Sequence, residues 1–174
     1  IVVAAAEKEI AEAVKREGGE AVLTDPALPS GSDRVMAALA AIDPKGKHDI
    51  VVNLQGDMPT IDPHAIRAAL DALAEEMDAD IATLVAEAKT AEERESSNVV
   101  KAVVAFQPGA RKGRALYFTR AAAPWGQGPL YHHIGVYVYR REALERFVAT
   151  PPSPLEQREK LEQLRALEHG MWIE

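Results

Sequence analysis

The sequence predicts an α/β fold, a mostly parallel sheet flanked by helices, with an antiparallel strand portion in its second half. Three observations carry this prediction. Apolar runs of the kind buried in such sheets stand at Ile1–Ala6, Glu20–Thr24 and Ile50–Leu54. Helical spacing separates them: Glu7 to Glu17 places Ile10, Ala13 and Val14 on one face with charges opposite. Finally, Asn98–Phe106 and Arg114–Arg120 are strand-like, and the polar loop Gln107–Gly113 between them is of the kind that closes a hairpin.

Composition narrows the classes. With 174 residues, 47% of them hydrophobic, the chain can bury one core and reads as a single domain spanning 1–174. A net charge of −7 argues against a nucleic-acid surface, which carries a basic footprint. No apolar run is long enough for membrane insertion, and no signal-peptide pattern opens the chain. The absence of cysteine excludes disulfides and thiolate metal sites and fits a cytoplasmic protein. The chain opens on Ile1-Val2-Val3-Ala4-Ala5-Ala6, which reads as the middle of a buried sheet, and closes on Met171-Trp172-Ile173, which reads as the start of a strand. Both ends are expected to be truncated.

In order, strand, helix and strand over residues 1–24 form a βαβ unit, with Gly18-Gly19 as the helix stop. Pro29-Ser30-Gly31-Ser32-Asp33-Arg34 then runs into an apolar helix, for which Ser30 or Ser32 is the candidate N-cap. A glycine beside a helix N-terminus is a ready anion or base-edge site. Arg34, in the first turn, either faces a carboxylate or phosphate there or simply flanks a solvated turn.

The run Asp49–Leu54 predicts a strand buried on both faces, broken by Gly56 and followed by Asp57. Ligands of open α/β sheets sit beyond the carboxyl ends of strands. A carboxylate there can hold Mg²⁺, which takes one or two protein carboxylates and completes its shell with phosphate and water. The plainer alternative is that Asp57 caps a turn, with Gly56 and Pro59 as loop punctuation.

Asp62-Pro63 is a helix start, and Ile66, Leu70, Leu73 and Met77 form the stripe of a helix running to about Met77. Ile81–Ala86 is a strand, Thr90–Glu95 a short turn or helix, and Ala121–Gly128 a loop. Tyr131–Tyr139 alternates: Tyr131, His133, Gly135, Tyr137 and Tyr139 share one face, while His132, Ile134, Val136 and Val138 share the other, apolar one. Gly135 allows another group to approach the backbone closely. After a helix over Arg140–Val148, Ser153-Pro154-Leu155-Glu156 is a capping box opening a long helix that ends near His169-Gly170.

Several of these segments together resemble the 3-deoxy-manno-octulosonate (Kdo) cytidylyltransferases, a family with a Rossmann-like nucleotidyltransferase sheet. The matching stretches are Ser30-Gly31-Ser32-Asp33-Arg34, Val51-Val52-Asn53-Leu54-Gln55-Gly56-Asp57, Asn98-Val99-Val100-Lys101 and Leu116-Tyr117-Phe118-Thr119-Arg120. Pro124-Trp125, His133-Ile134-Gly135-Val136-Tyr137, Pro152-Ser153-Pro154-Leu155-Glu156 and Leu161-Glu162-Gln163-Leu164-Arg165 follow in the family's order. The resemblance implies transfer of CMP from CTP to the anomeric hydroxyl of Kdo, with release of pyrophosphate, for lipopolysaccharide synthesis. It implies Mg²⁺ as cofactor on Asp57, the catalytic residue, and a homodimer. Ser30, Gly31, Arg34 and Gln55 match the nucleotide side. Arg120, His133, Tyr137, Glu162 and Gln163 match the sugar-acid side, where an arginine fork suits a carboxylate.

Two departures accompany the match. Met58 stands where the family usually has glutamate after Gln-Gly-Asp. Nothing in the chain matches the family's arginine- and lysine-bearing triphosphate loop or its C-terminal metal aspartate, so the chain as it stands is expected not to make CMP-Kdo. Two other readings share the residues: a CMP-sialic acid synthetase-like enzyme, and a non-catalytic nucleotide- or sugar-binding module. The His133-to-Tyr137 pattern and the Glu162-Gln163 pair favour Kdo.

Overall fold

The computed structural model describes residues 1–174 and has the α/β organisation expected from the sequence. Strand β1 (Val2–Ala5), helix α1 (Lys8–Arg16) and strand β2 (Glu20–Leu23) form a compact unit in which β1 and β2 pair in parallel. Helix α2 (Gly31–Ile42) follows, with Ser30 as its N-cap; the Ser30 side chain accepts a hydrogen bond from the Asp33 N–H.

The larger sheet has five strands. Its axis is β7 (Tyr131–Arg140), flanked by β3 (Ile50–Leu54) and β4 (Ile81–Glu87), each antiparallel to it. Helix α3 (Pro63–Glu75) joins β3 to β4, its start fixed by Asp62 accepting from the His64 N–H and by Pro63 in the first turn. The short α4 (Ala91–Glu95) carries a complete Thr90–Glu93 capping box. Strands β5 (Lys101–Phe106) and β6 (Gly113–Thr119) make the predicted hairpin, and β5 touches the start of β7. Helices α5 (Arg141–Ala149), α6 (Pro154–Glu159) and α7 (Gln163–Glu168) close the order. The closing segment Met171–Ile173 does take up an extended role, with Ile173 bridging Ile81 in parallel.

Two apolar clusters hold the layers together. The larger joins Leu39 of α2, Val51, Phe118, Tyr137, Tyr139, Leu144, Phe147 and Leu164 on one face of the sheet. The smaller packs Ala69, Ala72 and Leu73 of α3 against Ala82 and Val138 on the other. Val136, Val138, Tyr137 and Tyr139 are all buried, so the end of β7 is covered on both faces.

Three expectations need correction. The sheet is not mostly parallel: among the strands only β1 and β2 pair in parallel, and every strand pair of the larger sheet is antiparallel. Strand β3 is not buried on both faces: Val51 and Asn53 are buried, while Ile50, Val52 and Leu54 are 39%, 37% and 42% exposed. Helix α2 covers one side of β3, whereas α3 lies on β4 and β7 and leaves the other side open. The long C-terminal helix is likewise two helices, broken at Lys160, which adopts the left-handed conformation at φ 58°. Arg165 grips Glu156 with two hydrogen bonds, of 2.9 and 2.6 Å, and so folds α7 back on α6. A continuous helix could not bring those two side chains together across nine positions.

Candidate active site

The face of β3 and β7 that lies under α2 and α7 gathers most of the predicted site residues. Paired residues in an antiparallel ladder share a face. Asn53 pairs with Tyr137 and Val51 with Tyr139, so Asn53, Gln55, Tyr137 and His133 project to the same side. Gln55 lies over Gly135: a Cβ built on that glycine would be 3.4 Å from three atoms of the Gln55 carboxamide. The close approach anticipated at Gly135 is therefore made by Gln55.

Through Tyr137, Gln163, His133 and Thr83 the hydrogen bonds run in one direction. Thr83 Oγ1 donates to the Val136 carbonyl at 2.7 Å, so its oxygen is left to accept from His133 Nε2 at 2.9 Å. His133 Nδ1 is then an acceptor and faces Gln163 Nε2 at 3.5 Å, while Gln163 Oε1 accepts from the Tyr137 hydroxyl at 3.3 Å. This order requires neutral histidine with its proton on Nε2. Burial enforces the same state, lowering the His133 pKa to about 3, with neighbouring His132 adding a smaller push.

Glu162 lies beside the start of α2. Its Oε1 accepts from Ser32 Oγ at 3.2 Å, and Ser32 Oγ is also 3.0 Å from the Tyr139 hydroxyl. The break at Lys160 makes this possible, because it turns the Glu162–Gln163 step inward at the beginning of α7. Burial raises the Glu162 pKa even though the Ser30 and Ser32 hydroxyls and the Ser32 N–H favour its ionised form. Its Oε2 is buried without a hydrogen-bond partner.

The remaining candidates lie apart from this cluster. Arg34 donates to Thr24 Oγ1 at 2.7 Å and to the Asp25 carbonyl at 3.1 Å, tying α2 to the loop after β2. Arg120 donates from Nε to the Glu159 carbonyl at 2.8 Å and from Nη1 to the Ser97 carbonyl at 3.0 Å. It thus clamps the end of α6 to the loop before β5. Asp57 stands exposed in the turn that follows β3, closed by a Met58 N–H to Gln55 carbonyl bond of 3.3 Å.

A family model described as cytidylyltransferase matches residues 1–173. The chain belongs to the cytidylyltransferase family. It is 67% identical over 174 residues to a 3-deoxy-manno-octulosonate cytidylyltransferase of Parvibaculum lavamentivorans, covering 100% of this chain and 67% of that protein. A protein of the same name from Rhodospirillum centenum is 66% identical over 173 residues, 99% of this chain and 67% of its own length. The chain thus spans about two thirds of the length of these relatives. Among solved structures, a CMP:2-keto-3-deoxy-manno-octonic acid synthetase complexed with CTP superposes with a TM-score of 0.84 at 33% identity. That match covers 96% of this chain and 67% of the other.

Asp57, exposed just past the end of β3, could serve as one carboxylate ligand of a divalent cation. No group of three or more His, Cys, Asp or Glu side chains is gathered anywhere in the chain. An all-protein metal cage is therefore absent, but a hard cation that draws most of its ligands from phosphate and water needs only one such carboxylate. Met58 contributes a thioether, which is no ligand for such a cation.

Two buried polar residues were given no individual role in the sequence reading. Lys101 is fully buried and donates to the Ser96 and Val99 carbonyls at 2.7 and 2.5 Å, so it fixes the loop below the site; burial lowers its pKa. Asn53 is 3% exposed, and its Nδ2 has no partner. The available signal for both was a polar residue inside an otherwise apolar strand run.

Proposed function

We propose that this site transfers a cytidylyl group from CTP to the anomeric hydroxyl of Kdo and releases pyrophosphate. The observation that carries the reading is the joining of Ser32, Glu162, Gln163, Tyr137 and His133 into one buried polar cluster, although they come from three separated stretches of chain. The names of the relatives, at 58–67% identity over the whole chain, support Kdo over a sialic acid as the sugar acid. The CTP in the solved neighbour supports the nucleotide.

In this proposal the nucleotide lies along the start of α2 and the end of β3, against Ser30, Gly31 and Gln55, and the sugar acid lies against β7 and α7. Asp57 would hold Mg²⁺, which supplies charge neutralisation to the phosphates when bound. The chain's own part is positioning. The buried Thr83–His133–Gln163–Tyr137 bonds hold the wall of the sugar pocket in one arrangement, and an attacking hydroxyl held in line gains rate through orientation. Glu162, with one carboxyl oxygen unpaired, offers a contact to a sugar hydroxyl. Arg34 and Arg120 are placed to brace the loops around the two halves rather than to face a ligand directly.

The reaction belongs to lipopolysaccharide biosynthesis, and we assign the enzyme to the cytoplasm as a homodimer, extending what the family implies. No helix is long and apolar enough to cross a membrane. The test is incubation with CTP, Mg²⁺ and either Kdo or a sialic acid, following CMP-sugar and pyrophosphate, together with equilibrium dialysis of Kdo. Kdo binding is expected, with any CMP-sugar formed being CMP-Kdo. Product from the sialic acid alone, or neither Kdo binding nor CMP-Kdo, would overturn the reading.

A further inference from the structure

Thr83 stands at an irregularity of the larger sheet. Between β4 and β7 the register pairs Ile81 with Tyr139, Ala82 with Val138 and Thr83 with Tyr137, then jumps so that Leu84 faces Ile134. Gly135 and Val136 thus have no opposite residue on β4, and β7 bulges there. Bulges interrupt the backbone ladder and re-aim side chains, often beside functional sites. The Thr83 hydroxyl fills this one. It donates to the Val136 carbonyl at 2.7 Å, lies 3.4 Å from the Ile134 carbonyl, and accepts from His133 Nε2 at 2.9 Å. A single hydroxyl therefore ties down the backbone on both sides of Gly135 and also holds the His133 ring. Gly135 is the floor over which the Gln55 carboxamide lies.

We infer that Thr83 is a positioning residue shared by both halves of the site: its hydroxyl holds the β7 bulge that seats Gln55 and fixes which nitrogen of His133 carries the proton. For the substrates it names, this rests on the reading given above. The polarity of the whole bond chain is set at Thr83. A hydroxyl has one proton to give, and a backbone carbonyl can only accept it. With that proton spent on Val136, only lone pairs face the imidazole, so Nε2 must donate. Nδ1 is left to accept from Gln163 Nε2, and Gln163 turns its Oε1 to the Tyr137 hydroxyl. Every later member of the chain could reverse: an imidazole changes tautomer, a carboxamide flips, a phenol rotates. The carbonyl cannot. Phe118, edge-on to the His133 ring with centroids 4.9 Å apart, offers no other acceptor. Valine at position 83 would match the shape of threonine but leave Nε2–H without a partner and the Val136 carbonyl without its hydroxyl donor. An unpaired buried donor is costly enough to drive the proton to Nδ1.

The experiment compares the 174-residue chain with Thr83→Val, which removes the hydroxyl, and Thr83→Ser, which keeps it. Nitrogen-15 NMR of the His133 ring reports which nitrogen is protonated, and calorimetry reports the binding of CMP and of Kdo. The unaltered chain should carry the ring proton on Nε2. Thr83→Val should move it to Nδ1 and lower the affinity for both ligands roughly tenfold, and Thr83→Ser should restore the tautomer and both affinities. A residue that merely stabilised the sheet would change the midpoint of unfolding and neither of these readouts. A folded Thr83→Val with the proton still on Nε2, or with both affinities unchanged, overturns the inference. If Thr83→Val does not fold, the ring shifts of the unaltered chain and of Thr83→Ser decide: Nε2–H in both supports the inference, and Nδ1–H in either overturns it. An unaltered chain that binds neither CMP nor Kdo overturns the substrate reading, while the ring shifts still decide what Thr83 does.

Discussion

Ser32 Oγ and the Tyr139 hydroxyl stand 3.0 Å apart although 107 positions separate them in the chain. The contact joins the first turn of α2 to the middle of the sheet, and Glu162 joins it from the third side. Burial pushes the Tyr139 phenol well above its ordinary range, with the nearby Glu162 carboxyl adding to the effect. The phenol therefore stays protonated and can bond to its neighbours at every working pH. A small hydroxyl, a phenol and a carboxyl thus lock the first turn of α2 to β7 and to the start of α7, and the proposed division of labour depends on that joint.

Asp57→Asn should leave the fold intact and lower turnover on the order of a hundredfold or more, because a neutral amide replaces the carboxylate proposed to hold the cation. Asp57 is exposed and outside both apolar clusters, so nothing in the core depends on it. Circular dichroism and pyrophosphate release against Mg²⁺ concentration check this. Near-normal release would remove Asp57 from the metal role.

His133→Ala and Glu162→Gln should weaken Kdo use far more than CTP binding. Both groups are proposed to border the sugar, and His133 would act through its bonds to Gln163 and Thr83. Separate calorimetric titrations of the two substrates measure the split, with losses of roughly tenfold or more expected for Kdo. Collapse of CTP affinity with Kdo binding preserved would reverse the assignment of the two halves.

Much of this arrangement was legible in the sequence, and the failures have physical causes. Capping residues at Ser30 and Asp62 mark helix starts because their side chains accept from nearby backbone N–H groups, and local chemistry is written locally. The alternation along β7 placed His133, Gly135 and Tyr137 together for the same reason. Long-range choices were not visible. Whether α6 continues past Lys160 is decided by the Arg165–Glu156 pair, and the exposure of Ile50, Val52 and Leu54 depends on where α3 lies. Gln55 over Gly135 needed the register of β3 on β7, which no local pattern fixes.

Two buried groups should give the stability opposite pH dependences. His133 has a folded pKa of about 3 against an ordinary 6.5, so the unfolded chain takes up its proton first. Its contribution is complete above pH 6.5 and falls as pH drops toward 3, by up to about 1.4 kcal/mol per pH unit. Glu162 has its pKa raised above 4.5, so its contribution is present in acid and is lost as pH rises through the folded value. Urea denaturation across pH 3 to 8 should show a shallower acid loss for His133→Gln and a smaller decline on the alkaline side for Glu162→Gln. Curves parallel to the unaltered chain's would contradict the burial of both charges.

Gly135→Ala and Gly135→Val separate the need for space from the need for backbone freedom. Gly135 is not among the glycines with positive φ, so a side chain there meets no conformational strain. Replacing it should even help folding slightly, since a less flexible residue reduces the entropy of the unfolded chain. The obstacle is Gln55, whose carboxamide lies 3.4 Å from the position of the new Cβ. Alanine makes contact at that distance without forcing a rearrangement, whereas the branched methyls of valine must displace the amide. The expected pattern is near-normal CMP affinity for Gly135→Ala and a loss of roughly tenfold for Gly135→Val, one hydrogen bond to the nucleotide being at stake. Thermal midpoints of both variants should stay within a few degrees of the unaltered chain, about what 1 kcal/mol produces in a domain of this size. Calorimetry and thermal denaturation on the same samples decide the matter. If valine unfolds the chain, or leaves nucleotide affinity untouched, Gly135 is not there to make room for Gln55 as a nucleotide contact.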